Sequence, residues 1–549
     1  MIALSFLCLF FTNAFWPLQL NCMKIKYLSL LLLPLMLTSC SKPLALEFEP
    51  YGEKDYVEAK DLMIEAEGEY YIRKKETKPI STALGDINNL SDLLKNNRSG
   101  KARSKMPTKG DQKILVVPVY FSDSDANSLE KKTTFIQNAF FGKTSRTNYD
   151  SVAGYYNKSS YGQLRISGEV APWYNAGIAS SDWKKKSSSY MNASSILVAE
   201  AVDYYKANTS IDFSQYDNDE DGNIDGVYVI YDHALDKNGF SNSIFWAYTY
   251  YTYKGENGLN NTEPSVNVYS WTSVNTILQD NNKSYTNYLI HETGHLLGLT
   301  DYYNTNYFPE ENTSFHYQPT GCFDMMDYNI GDHSSFSKYL FNWTSPMVVK
   351  NNVNTTIKLH PFHDSGECLL IPSSNYDNSP FGEYLMIEYF TPNGLNKFSG
   401  SYSYTNKDGE KGIYTYPQHH GLKIYHVNAN LGYFEKGNNS ALLCTVNNPN
   451  AESLIAGKNV GLDYAYNNSP SDTQSKNGQQ VLVHLLESSG NNTFIDGVPA
   501  NNDTLFKFGT DFGITAFKDF KFSNGESPNF TLKVKGISTK DVTLEITHK

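Results

Sequence analysis

The sequence predicts two folded units in series: a mixed α/β domain over about residues 110–346, then a β-rich, sandwich-like domain over residues 347–549. Three observations carry this. Apolar, β-branched runs such as Ile114–Phe121 and Asp225–Tyr231 have the length and texture of buried strands. Between and around them, Ser151–Tyr156 and Ser194–Tyr205 space their apolar residues as helices do. From about Val348 the texture changes to short alternating runs separated by Asn, Gly, Ser and Pro, such as Tyr384–Tyr389 and Leu422–Val427, which is the pattern of an all-β region. The final runs, Phe530–Lys535 and Val542–Ile546, alternate most cleanly.

Length and composition agree with this division. A chain of 549 residues exceeds one ordinary core, and 40% hydrophobic with 14% aromatic residues is ample for burial. The formal charge of -12 argues against a nucleic-acid partner, which requires a basic face to displace counterions.

Residues 1–40 read as an export segment. Met23-Lys24-Ile25-Lys26 precedes a short apolar run, Tyr27–Leu37, as in secretory signals, and Met23 is an alternative start. The run ends at Leu37-Thr38-Ser39-Cys40, which resembles a bacterial lipoprotein lipobox, and that resemblance makes Cys40 the lipidation site. The expected location is therefore an exported protein, lipid-anchored to a bacterial membrane at the cell surface or in the periplasm, with later release left open. An ordinary signal with a free Cys, or a short transmembrane helix, is the competing reading. Residues 41–109, polar and rich in Lys, Arg, Asn and Ser near their end, read as a tether or pro-segment. Of six cysteines, only Cys322, Cys368 and Cys444 lie beyond the leader, so at most one disulfide can form.

The chemistry-bearing motif is His291-Glu292-Thr293-Gly294-His295. Residues four apart share a helix face, so both imidazoles can reach one zinc ion while Glu292 stands beside the water it activates. Such an arrangement suits hydrolysis of a peptide bond, with Glu292 as general base. Flanking apolar residues seat the helix, and Gly298 ends it where the chain must reverse, bringing Asp301 back as the expected third ligand. Asp324, Glu310 and Glu311 are the competitors for that place. His316 and His333 are nearby in sequence, with loop or core roles favoured over ligation.

The run from His291 through Leu296-Leu297-Gly298-Leu299-Thr300-Asp301-Tyr302-Tyr303 resembles the extended signature of the immune inhibitor A family of bacterial metallopeptidases, a metzincin-like group that carries Asp at the third position. Gly321-Cys322-Phe323-Asp324-Met325-Met326 is similar to the family's Met-turn, which implies that Met326 forms an apolar floor beneath the metal; Phe323 stands where a Trp is common. Ser151–Leu164, Ile166–Val170, Phe336–Trp343 and Gly421–Asn428 add weaker matches, so the likeness spans roughly Lys113 to Leu486. The implied activity is a zinc endopeptidase acting on protein or peptide substrates. Tyr328 stands at the spacing where the related astacin branch has a Tyr that can assist the oxyanion, but Asp327 is not that branch's His, which weighs against a catalytic role. Two other readings stay open: a non-catalytic surface binding protein or adhesin on this scaffold, and a zinc amidase acting on glycoprotein or cell-wall material.

A second cation is expected at Asp217–Gly226, where Asp217, Asp219, Asp221, Asn223 and Asp225 place hard oxygens at alternate positions of a Gly-containing loop. The position of a full EF-hand's bidentate Glu is Tyr228, so the expected role is a short, structural calcium loop.

Overall fold

A computed structural model describes residues 105–549 apart from 237–242, 252–261, 279–282, 305–316, 350–351, 375, 377–378, 400–402, 406–410, 414–416, 436–442, 447 and 468–480, together with the backbone of three short strands between residues 70 and 87. Cys40, the leader, Glu310, Glu311 and His316 lie outside the described residues.

The N-terminal part is built on a sheet whose main order is Leu164–Val170, Gly110–Tyr120, Val227–Tyr231, Val268–Ser273, Tyr248–Tyr251. The first four strands are parallel; the last runs antiparallel and ends that path. Alternation along Gly110–Tyr120 sends Leu115, Val117 and Val119 to one core and Ile114 and Val116 to another. The first core is closed by the helix Tyr190–Asn208. Against the other face lie Leu129–Phe141, Val152–Ser159 and the helix that carries the histidines, Asn287–Leu296. A parallel sheet covered on both sides explains why these strands read as continuous apolar runs. The two early helices begin or extend beyond the sequence reading: Ser151 is the N-cap of Val152–Ser159, accepting from the Gly154 N–H at 3.1 Å, and Tyr190–Asn208 outruns Ser194–Tyr205 at both ends.

The C-terminal part contains a six-stranded sheet, ordered Tyr70–Ile72, Met347–Val349, Cys368–Pro372, Glu383–Phe390, Gly421–Asn428, Val483–Leu485. A four-stranded antiparallel sheet, Thr355–Leu359, Val542–His548, Phe530–Ile537 and Asp511–Gly513, packs on one of its faces through Leu369, Ile371, Leu385, Ile387, Leu544 and Ile546. Each such fully buried aliphatic side chain contributes about 1.5–3 kcal/mol. The opposite face, with Leu370, Tyr384, Met386, Tyr425 and Val427, joins the same core as Leu289, Ile290 and Met326. The β-rich region is therefore a mixed sandwich whose central sheet also serves the N-terminal core. For this reason Glu383–Phe390 and Gly421–Asn428 are buried at every position. Cys322, Cys368 and Cys444 are buried and unpaired. Among the described residues no helix is long and apolar enough to cross a membrane.

Candidate metal centre

The helix Asn287–Leu296 is held by phenols that its own sequence does not supply. Tyr228 Oη donates to the Leu289 carbonyl at 2.8 Å, and Tyr156 Oη donates to the Ile290 carbonyl at 2.7 Å. At its other end, Lys105 Nζ donates to the His295 carbonyl at 3.0 Å and the Met106 N–H to the Leu296 carbonyl at 3.1 Å. A cation at a helix C-terminus is favoured by the helix dipole as well as by the bond itself. Met106 is fully buried, and the Trp343 indole Nε1–H donates to the Thr108 carbonyl at 2.6 Å, so residues from Lys105 onward pack as part of this domain.

Gly294 has a second task inside the motif. A Cβ built there would lie 2.4 Å from Met326 Sδ, so the absence of a side chain is what lets Met326 sit directly against the helix. Met326 is itself 0% exposed. Gly298, at φ 108°, then turns the chain; the Leu299 N–H returns to the Gly294 carbonyl at 2.9 Å.

The reversal brings three groups to one point. His291 Nε2 lies 3.1 Å and His295 Nε2 3.2 Å from the same oxygen, Asp301 Oδ1. The remaining ring nitrogens are occupied elsewhere: His291 Nδ1 is 2.9 Å from the Met325 carbonyl, and His295 Nδ1 is 2.9 Å from the Leu299 carbonyl. A carbonyl can only accept, so each Nδ1 carries the proton and, in the neutral ring, each Nε2 offers a lone pair to the shared point. Two imidazoles and a carboxylate so arranged match the donor set of a catalytic zinc site with a position left for water or substrate. Burial disfavours a charge on His291, yet the hydrogen bond and charge of Asp301 outweigh it and raise the imidazole to about 9, so a metal at this point competes with an Nε2 proton that Asp301 accepts. Burial likewise opposes the Asp301 carboxylate, and the two imidazoles overcome this to hold it well below the usual range.

Glu292 is 5% exposed, and its ligand atom lies within 4.8 Å of those of both histidines. Two triads thus overlap here. One oxygen of Asp301 contacts both Nε2 atoms, whereas Glu292 Oε2 accepts from Thr249 Oγ1 at 2.7 Å. Thr249 belongs to the antiparallel strand Tyr248–Tyr251, and nothing in the local sequence marks it. Tyr303 is a further contributor not singled out from sequence: its ring lies nearly parallel to that of His291, with centroids 6.3 Å apart, and its phenol feels the Asp301 charge. Burial, then the Asp301 charge, keep that phenol protonated far above its ordinary value.

Asp324, His333 and Tyr328 are placed elsewhere. Asp324 is buried with its carboxylate on the N–H groups of Met326 at 2.9 Å and Ser334 at 3.2 Å, which shapes the turn rather than the metal point; burial pushes it up to about 6. His333 lies in an aromatic cluster with Tyr155, Tyr156 and Trp343, with Nε2 3.2 Å from Tyr156 Oη, and burial holds it neutral. Tyr328 is half-buried, its ring 5.0 Å from that of Tyr303.

In the acidic loop, the carboxylates of Asp217, Asp219 and Asp221 lie within 4.8 Å of one another. Asp217 accepts from the N–H groups of Asp221 and Gly222 at 2.9 and 3.0 Å, and Gly222 takes φ 81° to allow it. Asn223 Nδ2 is turned to Asp221 Oδ1 at 2.9 Å. Asp225 stands apart from the three: Oδ2 accepts from the Asn218 N–H at 2.6 Å, while the buried Oδ1 has no hydrogen-bond partner. Burial, with the charges of Asp219 and Asp221 adding, pushes Asp225 up to about 7 against the bonds from Asn218.

Comparison with known families now locates this geometry. Residues 101–327 match the family model described as immune inhibitor A peptidase M6, catalytic domain, so this part of the chain is an immune inhibitor A-like domain. It is therefore a peptidase of a metallopeptidase family. No curated protein matches the chain.

Proposed function

We propose that the protein is a zinc-dependent endopeptidase whose metal is held by His291, His295 and Asp301. The observation that carries this is the meeting of both Nε2 atoms on one Asp301 oxygen, with both Nδ1 atoms committed to carbonyls. A bound zinc ion supplies Lewis acidity that polarises a scissile carbonyl and acidifies water. Glu292 takes the proton from the attacking water on Oε1, the oxygen that Thr249 does not engage, and returns it to the leaving amine. Thr249 keeps that carboxylate aimed, and Met326 closes the site from below, where Gly294 admits it. The metzincin-like assignment of the domain rests on this floor, the Asp301 ligand and the resemblance of the motif. The substrates are proteins or peptides.

We further propose that Asp217, Asp219 and Asp221 hold a structural calcium ion, with Asp225 and Asn223 supporting the loop. The three carboxylates, with oxygens within 4.8 Å of one another, form a hard-oxygen set that suits a divalent cation. The export segment, lipid anchor at Cys40 and surface or periplasmic location belong to the same reading, supported by the sequence of residues 23–40.

The test is Glu292→Gln in the full chain. It is expected to retain one zinc per molecule and to lose casein cleavage by at least about a hundredfold. Undiminished cleavage removes Glu292 from the mechanism.

A further inference from the structure

The peptide units that follow Asp301 are gripped from two sides. The Tyr302 N–H donates to the Met326 carbonyl at 2.7 Å, within the N-terminal part. The Tyr302 carbonyl accepts from Asn467 Nδ2 at 3.0 Å, and Asn467 lies 165 residues later, in the β-rich region. The same amide bonds the strand Val483–Leu485 at both of its groups: Nδ2 donates to the Val483 carbonyl at 2.9 Å, and Oδ1 accepts from the Val483 N–H at 3.2 Å. Only one orientation of the amide satisfies two carbonyls and one N–H together. Asn467 is 2% exposed and Tyr302 is 0% exposed, so water cannot replace these bonds.

The neighbouring chain is fastened to the same region. The Leu485 N–H donates to the Pro319 carbonyl at 2.9 Å, and the Ala500 N–H to the Gly321 carbonyl at 2.8 Å. A Cβ at Gly321 would fall 2.6 Å from the Phe494 ring. The segment leading into Met326 and the segment carrying Asp301 are thus both clamped by residues between 467 and 500.

We infer that Asn467 is a positioning residue for the metal centre: the β-rich region, through this one amide, holds the Asp301 loop so that its carboxylate stays on the two imidazoles. This rests on the zinc reading of His291, His295 and Asp301. It makes the region after residue 346 part of the metal site and not an appended module. Groups that orient a ligand without touching the metal typically govern about 10–100-fold in metal affinity.

The experiment measures zinc affinity of the full chain by competition with a chromogenic chelator, for wild type, Asn467→Ala and His291→Ala, with metal-free stability recorded beside it. Asn467→Ala is expected to bind zinc at least tenfold more weakly, while Asn467→Gln recovers part of the loss. In parallel, hydrogen exchange of the wild type compares zinc-loaded and metal-free protein. Coupling is reciprocal, so zinc removal is expected to speed exchange at the Val483 amide; this arm decides the matter if the variants do not fold. Unchanged affinity in folded Asn467→Ala, or unchanged exchange at Val483 in the wild type, overturns the role of Asn467 while leaving the metal site standing. A wild type that binds no zinc, or binds it equally in His291→Ala, overturns the metal reading and this inference with it.

Discussion

Replacing Gly294 with Ala probes the contact on which the floor of the site depends. By itself a Gly→Ala change in a helix interior stabilises by about 0.5–1 kcal/mol. Here the new Cβ would meet Met326 Sδ at 2.4 Å and Met326 Cε at 3.1 Å, against an ordinary contact of about 3.5–4.0 Å. Met326 is enclosed on all sides, so relief requires movement of the helix or of the turn, and overpacking of this kind costs about 1–3 kcal/mol. The expected net loss is about 1–2 kcal/mol, read as a lowered midpoint in urea unfolding of the metal-free protein. In a Met326→Ala background the obstacle is gone, and the same Gly294→Ala change is expected to become neutral or stabilising. That reversal of sign is the signature of a direct contact. If Gly294→Ala destabilises equally in both backgrounds, the packing argument is wrong.

Three other outcomes follow from the geometry. Thr249→Val removes the hydroxyl bonded to Glu292; kcat is expected to fall about tenfold, equivalent to about 1.4 kcal/mol, with KM and zinc content unchanged and Thr249→Ser active, so an unaltered kcat would dismiss the role. Burial raises Asp327 to about 7, against bonds from Thr320 and the Tyr328 N–H, and a folded pKa above the unfolded one means that its contribution is complete below about pH 4 and lost as pH rises through about 7. Asp327→Asn is therefore expected to gain stability relative to wild type between pH 5 and 7, by on the order of 1 kcal/mol per pH unit, and a flat difference would contradict this. Calcium at a hundredfold excess over its Kd is expected to stabilise the wild type by about 2.7 kcal/mol in thermal unfolding; the same shift in Asp219→Asn would place the ion elsewhere.

How much of this could be read from the chain depends on how local each feature is. His291, Glu292 and His295 share one helical turn and a half, and Gly298 makes the return to Asp301 a matter of ten residues, so spacing and turn chemistry sufficed to nominate them. For His333 the sequence favours a loop or core role without separating the two, and burial among Tyr155, Tyr156 and Trp343 makes it a core one. Thr249, Lys105 and Asn467 had no such signal, because each acts through a partner 43, 190 or 165 residues away. Among the described residues after 346, strands dominate the element order, interrupted only by short helices. Yet the sheet that follows turns Met386, Tyr425 and Val427 towards the core shared with Leu289 and Met326, which texture cannot reveal. Alternation survives in the outer sheet, at Thr355–Leu359, Phe530–Ile537 and Val542–His548, where one face of the strands meets solvent. Residues from Lys105, placed by composition with the preceding polar segment, are instead drawn in by the end of the His291 helix and by Trp343.

The most direct test of the account is zinc X-ray absorption spectroscopy of the full chain, which reports the atoms around the ion without reference to turnover. The account predicts one zinc per molecule with two imidazole nitrogens at about 2.0–2.1 Å, oxygen donors completing the shell, and one fewer imidazole contribution in His295→Ala. A sulfur ligand at about 2.3 Å, or an unchanged spectrum in that variant, would contradict it.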